Sequence, residues 1–322
     1  MKIGLLLLGL IGLASALGSG ISPDTFFYTL PFRLLLLLLF INMTLCTINQ
    51  ISKLIKVFRN KRTNNVFRFR QFSLLILHLG IVLILIGGTI NTYQGESKQI
   101  RLIAGDTIDI ADVISTEESF YLQLNEFKIE FYEDGSPSQY ISDVDIIDKN
   151  THLHNYLISV NHPLKYAGIK AYQHSYGYMI NVEYEDNQDS HNHLLAEGQV
   201  IHFNDTNRIV RIYKYIPNFD ARYGMNTKTI RPDNPKIVYS VYENNEMLGI
   251  GAADIGEKVQ IDDNVFLTFK DVQLYTVLCI KSDPGLIWAT IGGILLMVGV
   301  CLAFYFAGRK KSKSIKQEMR NQ

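Results

Sequence analysis

Apolar residues gather in four long runs along this chain, and between the third and the fourth the pattern changes to an alternation of apolar and polar positions. The runs cover residues 3–20, 32–51, 71–91 and 286–307. Each is long enough for a helix to cross a hydrocarbon layer of ~30 Å at ~1.5 Å per residue. The second is interrupted by Arg33, Asn42 and Asn49. The first follows Lys2 and contains Ala14-Ser15-Ala16, so it fits a cleavable signal peptide as well as an anchor. An uncleaved anchor is adopted; on either reading the chain emerges by Ile21. The last run opens on Asp283, Pro284 and Gly285, a cap, a first-turn proline and a glycine. Ala289 with Gly293, and Gly299 with Ala303, are small pairs that would admit a neighbouring helix.

Residues 92–283 carry no stretch of twelve with a clear helical period. Period-two alternation predicts strands over 121–131, 179–184, 209–215 and 237–242. Turn chemistry at residues 133–137 and at Glu243-Asn244-Asn245-Glu246 separates them. The expected fold class is therefore a membrane protein of four transmembrane α-helices, with a large extracytoplasmic all-β domain, an antiparallel sandwich or barrel, between helices three and four. Its parts are a first span and outer loop (1–31), a second span and basic cytoplasmic loop (32–70) and a third span (71–91). The β-domain (92–283), a fourth span (284–308) and a basic cytoplasmic tail (309–322) follow.

Charge sets the orientation. The formal net charge of zero hides a partition: residues 92–283 hold 16 bases against 29 acids, whereas residues 51–70 hold seven bases and no acid. The segment after Gly308 holds six bases and only Glu318. Basic flanks stay inside, so both termini are placed in the cytoplasm of a multi-pass cell-membrane protein. This asymmetry concerns topology and the bilayer, not nucleic acid. Cys46, Cys279 and Cys301 form no CxxC pair, which argues against thioredoxin-like chemistry, a thiolate metal site or a disulfide framework. Hydrolase, kinase and dinucleotide motifs are missing.

His78 is the one ionisable group within the third run. Its helical neighbours Leu74, Leu75, Ile81 and Val82 are apolar, and no run offers an Asp or Glu for a proton relay. An imidazole there suits axial ligation of haem iron, or it packs with its ring bonded to a hydroxyl or carbonyl. Both readings stand on physics alone. One histidine supplies one axial position; Met43 and Met297 are the thioether candidates in the runs, and a partner's imidazole is the more natural second ligand. In the outer domain, His152/His154 and His191/His193 share a face if extended, but their polar contexts predict solvated loops. His202 lies apart. The denser stretch over 160–178 mixes His162 and His174 with Tyr172, Gln173 and Tyr176, and reads as a structural corner or as a ligand or docking face.

These stretches together resemble the ResB family, also called CcsB or Ccs1-type, of System II cytochrome c biogenesis. The resemblance rests on Leu13-Ala14-Ser15-Ala16-Leu17-Gly18, on Asn42-Met43-Thr44-Leu45-Cys46-Thr47-Ile48, and on His78-Leu79-Gly80 with Gly87-Gly88 and Tyr93-Gln94-Gly95-Glu96. It rests further on Asn161-His162-Pro163-Leu164-Lys165-Tyr166-Ala167-Gly168, Tyr172-Gln173-His174-Ser175-Tyr176-Gly177 and Ser282-Asp283-Pro284-Gly285. It implies a complex with a ResC/CcsA-type partner that moves haem b across the membrane and attaches it to apocytochrome c. It also implies that His78 is one axial ligand of a transient haem shared with that partner. The outer domain is short for the family, Trp288 is the only tryptophan, and Phe26-Phe27-Tyr28 stands where relatives carry aromatic pairs. The tryptophan-rich haem motif is missing, so the chain is expected to be non-catalytic alone, an accessory part of a haem-attachment synthetase with no catalytic residue of its own. A haem-free membrane-anchored β-scaffold and a haem electron-transfer protein are the alternatives.

Overall fold

The computed structural model describes residues 2–21, 25–59, 65–116, 118–148, 152–186, 189–203 and 207–318, with backbone only at 2, 28, 65–66, 152, 186, 189 and 306–318. The chain divides into a helical unit, residues 1–95 with 283–322, and a β-unit of residues 96–282.

The helical unit holds α1 (Lys2–Ile21), α2 (Leu30–Arg59), α3 (Asn65–Gln94) and α4 (Leu286–Glu318). All four contain windows long and apolar enough to cross a membrane. The basic stretch over 51–70 is largely helical, since α2 runs on to Arg59 and α3 begins at Asn65. Lys and Arg are good helix formers and neither Gly nor Pro interrupts them, so propensity carries the helices past the apolar boundary. Asparagines and Thr63 lie between, where residues 60–64 fall outside the described range.

Three contacts order the bundle. Leu7 of α1, Leu39 and Met43 of α2 and Val82 of α3 form one buried cluster. Gln50 of α2, itself buried, donates through Nε2 to Gln71 Oε1 at 2.6 Å, satisfying a polar group that apolar surroundings would otherwise penalise. The α3–α4 seam is built from glycine. A Cβ on Gly80 would meet Leu296 N at 2.6 Å and Gly292 O at 2.7 Å; one on Gly87 would meet Ala289 N and Gly285 O, each at 2.6 Å; one on Gly299 would meet Leu77 N at 2.6 Å. Gly285, Gly292 and Gly299 recur every seventh residue, as do Gly80 and Gly87, so two backbones touch along a heptad seam. Each i,i+4 pair expected from sequence gives one residue to this contact: Ala289 and Gly299 join the seam, whereas Gly293 faces open space.

The β-unit has strands β1 (Glu96–Ile103), β2 (Thr107–Asp109), β3 (Tyr121–Phe131), β4 (Pro137–Ile147), β5 (His152–Ser159), β6 (Leu164–Tyr166), β7 (Ile169–Asp186), β8 (Asp189–Ala196), β9 (Val200–His202), β10 (Arg208–Ile216), β11 (Lys236–Glu243), β12 (Glu246–Ala253), β13 (Lys258–Asp262) and β14 (Val265–Ser282). Every ladder is antiparallel. The spine is the pair β7 and β14, each of 18 residues, joined from Val265 opposite Asp186 to Ser282 opposite Ile169. β1 and β6 flank one end of this spine, β8 and β13 the other, and four-stranded sheets β2–β5 and β9–β12 complete the unit.

Two cores result. One gathers Leu122, Leu124, Val144, Ile146, Ile158, Leu278 and Ile280; the other gathers Ile180, Val182, Val210, Ile212, Ile237, Leu267 and Phe269. Each fully buried aliphatic or Phe side chain contributes about 1.5–3 kcal/mol relative to exposure. A single long sheet serves both because its strands carry bulges. In β7 the register slips at His174, so the inward set changes from Ile169, Ala171 and Gln173 to Tyr176, Tyr178, Ile180 and Val182. β14 makes the matching change at Lys270.

Candidate functional site

In the helical unit the site is His78. The half-buried ring lies in mid-α3, one turn before Val82, on the stripe that carries the α1–α2 cluster rather than on the glycine stripe facing α4. Its Nδ1 lies 2.6 Å from Leu74 O. A carbonyl only accepts, so Nδ1 is the donor, and Nε2 is the ring nitrogen left for another partner. No hydrogen bond to Nε2 occurs among the described residues. A fixed Nδ1–H and an available Nε2 are what an axial imidazole needs. The residues present therefore fit one haem-iron bond. Of the thioethers, Met43 is packed into the α1–α3 cluster and Met297 is largely exposed.

In the β-unit, the stretch over 160–178 is a corner. Asn161, Ala167 and Gly168 take positive φ, of 66°, 46° and 75°. Ala167-Gly168 is a two-residue turn closing the β6–β7 hairpin, with Tyr166 opposite Ile169. The residues singled out from sequence do not share one surface. His162 is exposed in the turn, its Nδ1 3.2 Å from Val160 O. Tyr172 and His174 lie on the outer side of the sheet, where Gln99 Nε2 donates to His174 Nε2 at 2.9 Å. Gln173 turns inward: its Oε1 accepts from Ser142 Oγ at 2.9 Å and Thr276 Oγ1 at 3.0 Å, both hydroxyls fully buried. Tyr176 is inward too, its ring centroid 5.2 Å from Tyr140, 6.2 Å from Phe127 and 5.8 Å from Tyr178, which lies 4.5 Å from Tyr215. Burial raises the hydroxyls of Tyr176, Tyr178 and Tyr215 above the ordinary phenol range, so this aromatic chain between the two cores is neutral.

Gly177 has a packing reason. It is the cross-strand partner of Tyr275, whose ring lies over it where a Cβ would stand, and Arg101 caps that ring at 4.4 Å. Gly251 and Tyr239 repeat the device.

The paired histidines lie in strands rather than loops, with His154, His191 and His193 exposed as expected. His154 in β5 donates from Nδ1 to Asp145 Oδ2 at 2.6 Å. Asp145 also accepts from the Asn155 N–H at 2.9 Å and from Asn125 at 2.7 Å, and these bonds, the backbone one foremost, hold its carboxyl at about 2. The side chain of His152 lies outside the described residues. His191 and His193 both stack on Tyr184, at 4.8 and 5.5 Å, so this HxH pair does share a face. Among the described residues no group of three or more His, Cys, Asp or Glu side chains is placed to hold a metal ion. The heptad spacing of the glycine seam, of which the sequence reading had Ala289 and Gly299, the parity switch at His174 and the Asp145 cluster escaped it; a heptad count of glycines was the one available signal.

The ResB-like family model matches residues 67–268 and 227–312. The chain is 26% identical to cytochrome c biogenesis protein Ccs1 of Porphyra purpurea over 66% of this chain and 47% of that protein. It is 26% identical to cytochrome c biogenesis protein CcsB of Gloeobacter violaceus over 71% of this chain and 50% of that one. The chain thus spans about half the length of these relatives. A solved cytochrome c haem lyase, CcmF, superimposes over 93% of this chain and 34% of that one, at 10% identity and a TM-score of 0.33, too distant to carry an argument. With a family model matched across α3, the β-unit and most of α4, this chain belongs to the ResB-like family.

Proposed function

We propose that this chain is the accessory, β-domain-bearing subunit of a System II cytochrome c biogenesis assembly, holding haem in the membrane through His78 and positioning apocytochrome c with its β-unit. The observation that carries the reading is the ring state of His78: Nδ1–H committed to Leu74 O, Nε2 left as a donor atom in an apolar bundle. The names of its relatives support the pathway. Haem supplies an iron that takes two axial ligands. This chain's part is to present one imidazole, fixed in tautomer by Leu74, within apolar helices that exclude water. With no second histidine in the apolar runs, a ResC/CcsA-type partner completes the pair. The basic residues at the ends of α2, α3 and α4 support a topology with the β-unit outside and both termini in the cytoplasm of the cell membrane.

The test is in cells lacking this chain, complemented with wild type, His78→Ala or His162→Ala, with covalently bound haem counted on c-type cytochromes. The reading expects His78→Ala to lose most of the signal at wild-type levels of membrane protein, with His162→Ala near wild type. Full maturation by His78→Ala would return the chain to a haem-free scaffold, for which the Leu74 bond alone satisfies the ring.

A further inference from the structure

We propose that the free edge of β12 is a docking site for an extended, unfolded peptide segment with apolar side chains and cationic flanks, which joins the sheet as a further strand. The client's identity rests on the reading above, that the β-unit positions apocytochrome c; the edge itself does not. β12 ends the four-stranded sheet β12–β11–β10–β9 and pairs with β11 alone. Among the described residues no other backbone hydrogen bond reaches Glu246–Ala253. A strand paired on one side presents a row of unmet N–H and C=O groups on the other, and a further strand matches their spacing.

The sequence leaves this edge unguarded. Edge strands β2, β6 and β9 have three residues each, whereas β12 has eight. β5, also an edge of eight residues, is interrupted by a bulge and by Asn155 at φ of 55°. Long edges are commonly blunted by lysine, proline or a bulge. Residues 247–253 include no charged residue and no proline. Leu248 forms a bulge, since Gly249 opposes Val241 and Met247 opposes Tyr242, which leaves residues 249–253 as the regular stretch. Met247, Leu248 and Ile250 are 55%, 53% and 57% exposed. Met247 and Ile250 stand opposite Tyr242 and Ser240, two residues apart on β11, so they lie on one face. An added strand sets its own side chains beside them, and apolar ones gain most from that burial.

Charge at the two ends of the strand specifies the flanks. Glu246 opens β12, and Asp254 and Glu257 follow it. The neighbouring bases are already engaged: Arg208 with Glu243 at 3.2 Å, Lys236 with Asp254 at 2.7 Å and Lys258 with Glu185 at 2.5 Å. Glu246 and Glu257 have no ion pair among the described residues. Carboxylates therefore bracket the edge, and a peptide with lysine or arginine at its ends is favoured over one with acids, most strongly at low salt.

The test is hydrogen exchange on the full chain in detergent, alone and with a synthetic peptide of alternating valine and threonine bearing lysine at both ends. Exchange over residues 249–253 is expected to slow several-fold with this peptide, less with glutamate at its ends, and not at all with a copy whose amides are N-methylated. Ile250→Lys, a change at an exposed position, should remove the effect at an unchanged melting temperature. The proposal is overturned if the lysine peptide leaves these amides unchanged or if the N-methylated copy slows them equally. It is also overturned if raising the concentration of the chain alone slows them, which gives the edge to a second copy. Apocytochrome c in place of the peptide separates the two claims: slowing by the peptide with none by apocytochrome c supports the edge and contradicts the client.

Discussion

Nδ1 of His78 and the carbonyl of Leu74 stand 2.6 Å apart, one turn along the same helix. That bond fixes which nitrogen carries the proton in a segment with no carboxylate to do so. It also makes a prediction about the isosteric change: His78→Gln keeps a polar group able to bond Leu74 O but offers iron no imidazole. Its folded yield in detergent should stay near that of wild type while haem retention falls at least tenfold, measured as haem per protein after purification.

The glycine seam predicts a strong asymmetry between neighbours in α4. Gly292→Val must push α3 away, because its Cβ would already sit 2.7 Å from Gly80 O and Ile84 N; Gly293→Val meets nothing within 4 Å. Overpacking of this kind costs about 1–3 kcal/mol or more. Thermal unfolding in detergent should show a lowered midpoint for Gly292→Val and little change for Gly293→Val.

Gly177→Ala should displace the Tyr275 ring, whose far end can swing, and with it the Arg101 contact. An exposed cation–π contact is worth about 0.5–1 kcal/mol, so the loss should be of that order. Arg101→Ala should cost a similar amount, and the double variant little more than either alone. Additive losses in denaturant unfolding would separate the two contacts.

Asp145 makes acid stability a local question. Its folded carboxyl is held at about 2, below the ordinary 3.8, by the Asn155 N–H first and then by Asn125 and His154. A depressed acid contributes stability that is full above about pH 4 and lost as pH falls toward 2. Asp145→Asn should flatten that limb of the stability curve, read by circular dichroism between pH 5 and 2, and should loosen the β4–β5 bulge that Asn155 closes with φ of 55°.

Much of this architecture was legible because periodicity reports burial directly. The alternation in Tyr121–Phe131 is β3 to the residue, and Asn244-Asn245, both at positive φ, make the β11–β12 turn that their side chains announced. What escaped has a common cause: it depends on partners distant in sequence. His174 looks like any strand residue until β14 is laid beside it and the register slips. Gly177 looks like a turn residue until Tyr275 covers it. The i,i+4 rule found Ala289 and Gly299 but also picked Gly293, because the seam repeats every seventh residue and one sequence does not show which face meets α3. For His78 the sequence left two roles open; the Leu74 bond engages Nδ1 alone, and the Nε2 it leaves is what supports the ligand role.

The most direct test of the account is the visible spectrum of the complex purified in detergent after co-expression with its ResC/CcsA-type partner, wild type against His78→Ala. A low-spin haem spectrum in wild type, lost or shifted in the variant, is what axial ligation by His78 requires. Wild type without haem, or an unchanged spectrum in the variant, would contradict it and leave His78 as a packing residue bonded to Leu74.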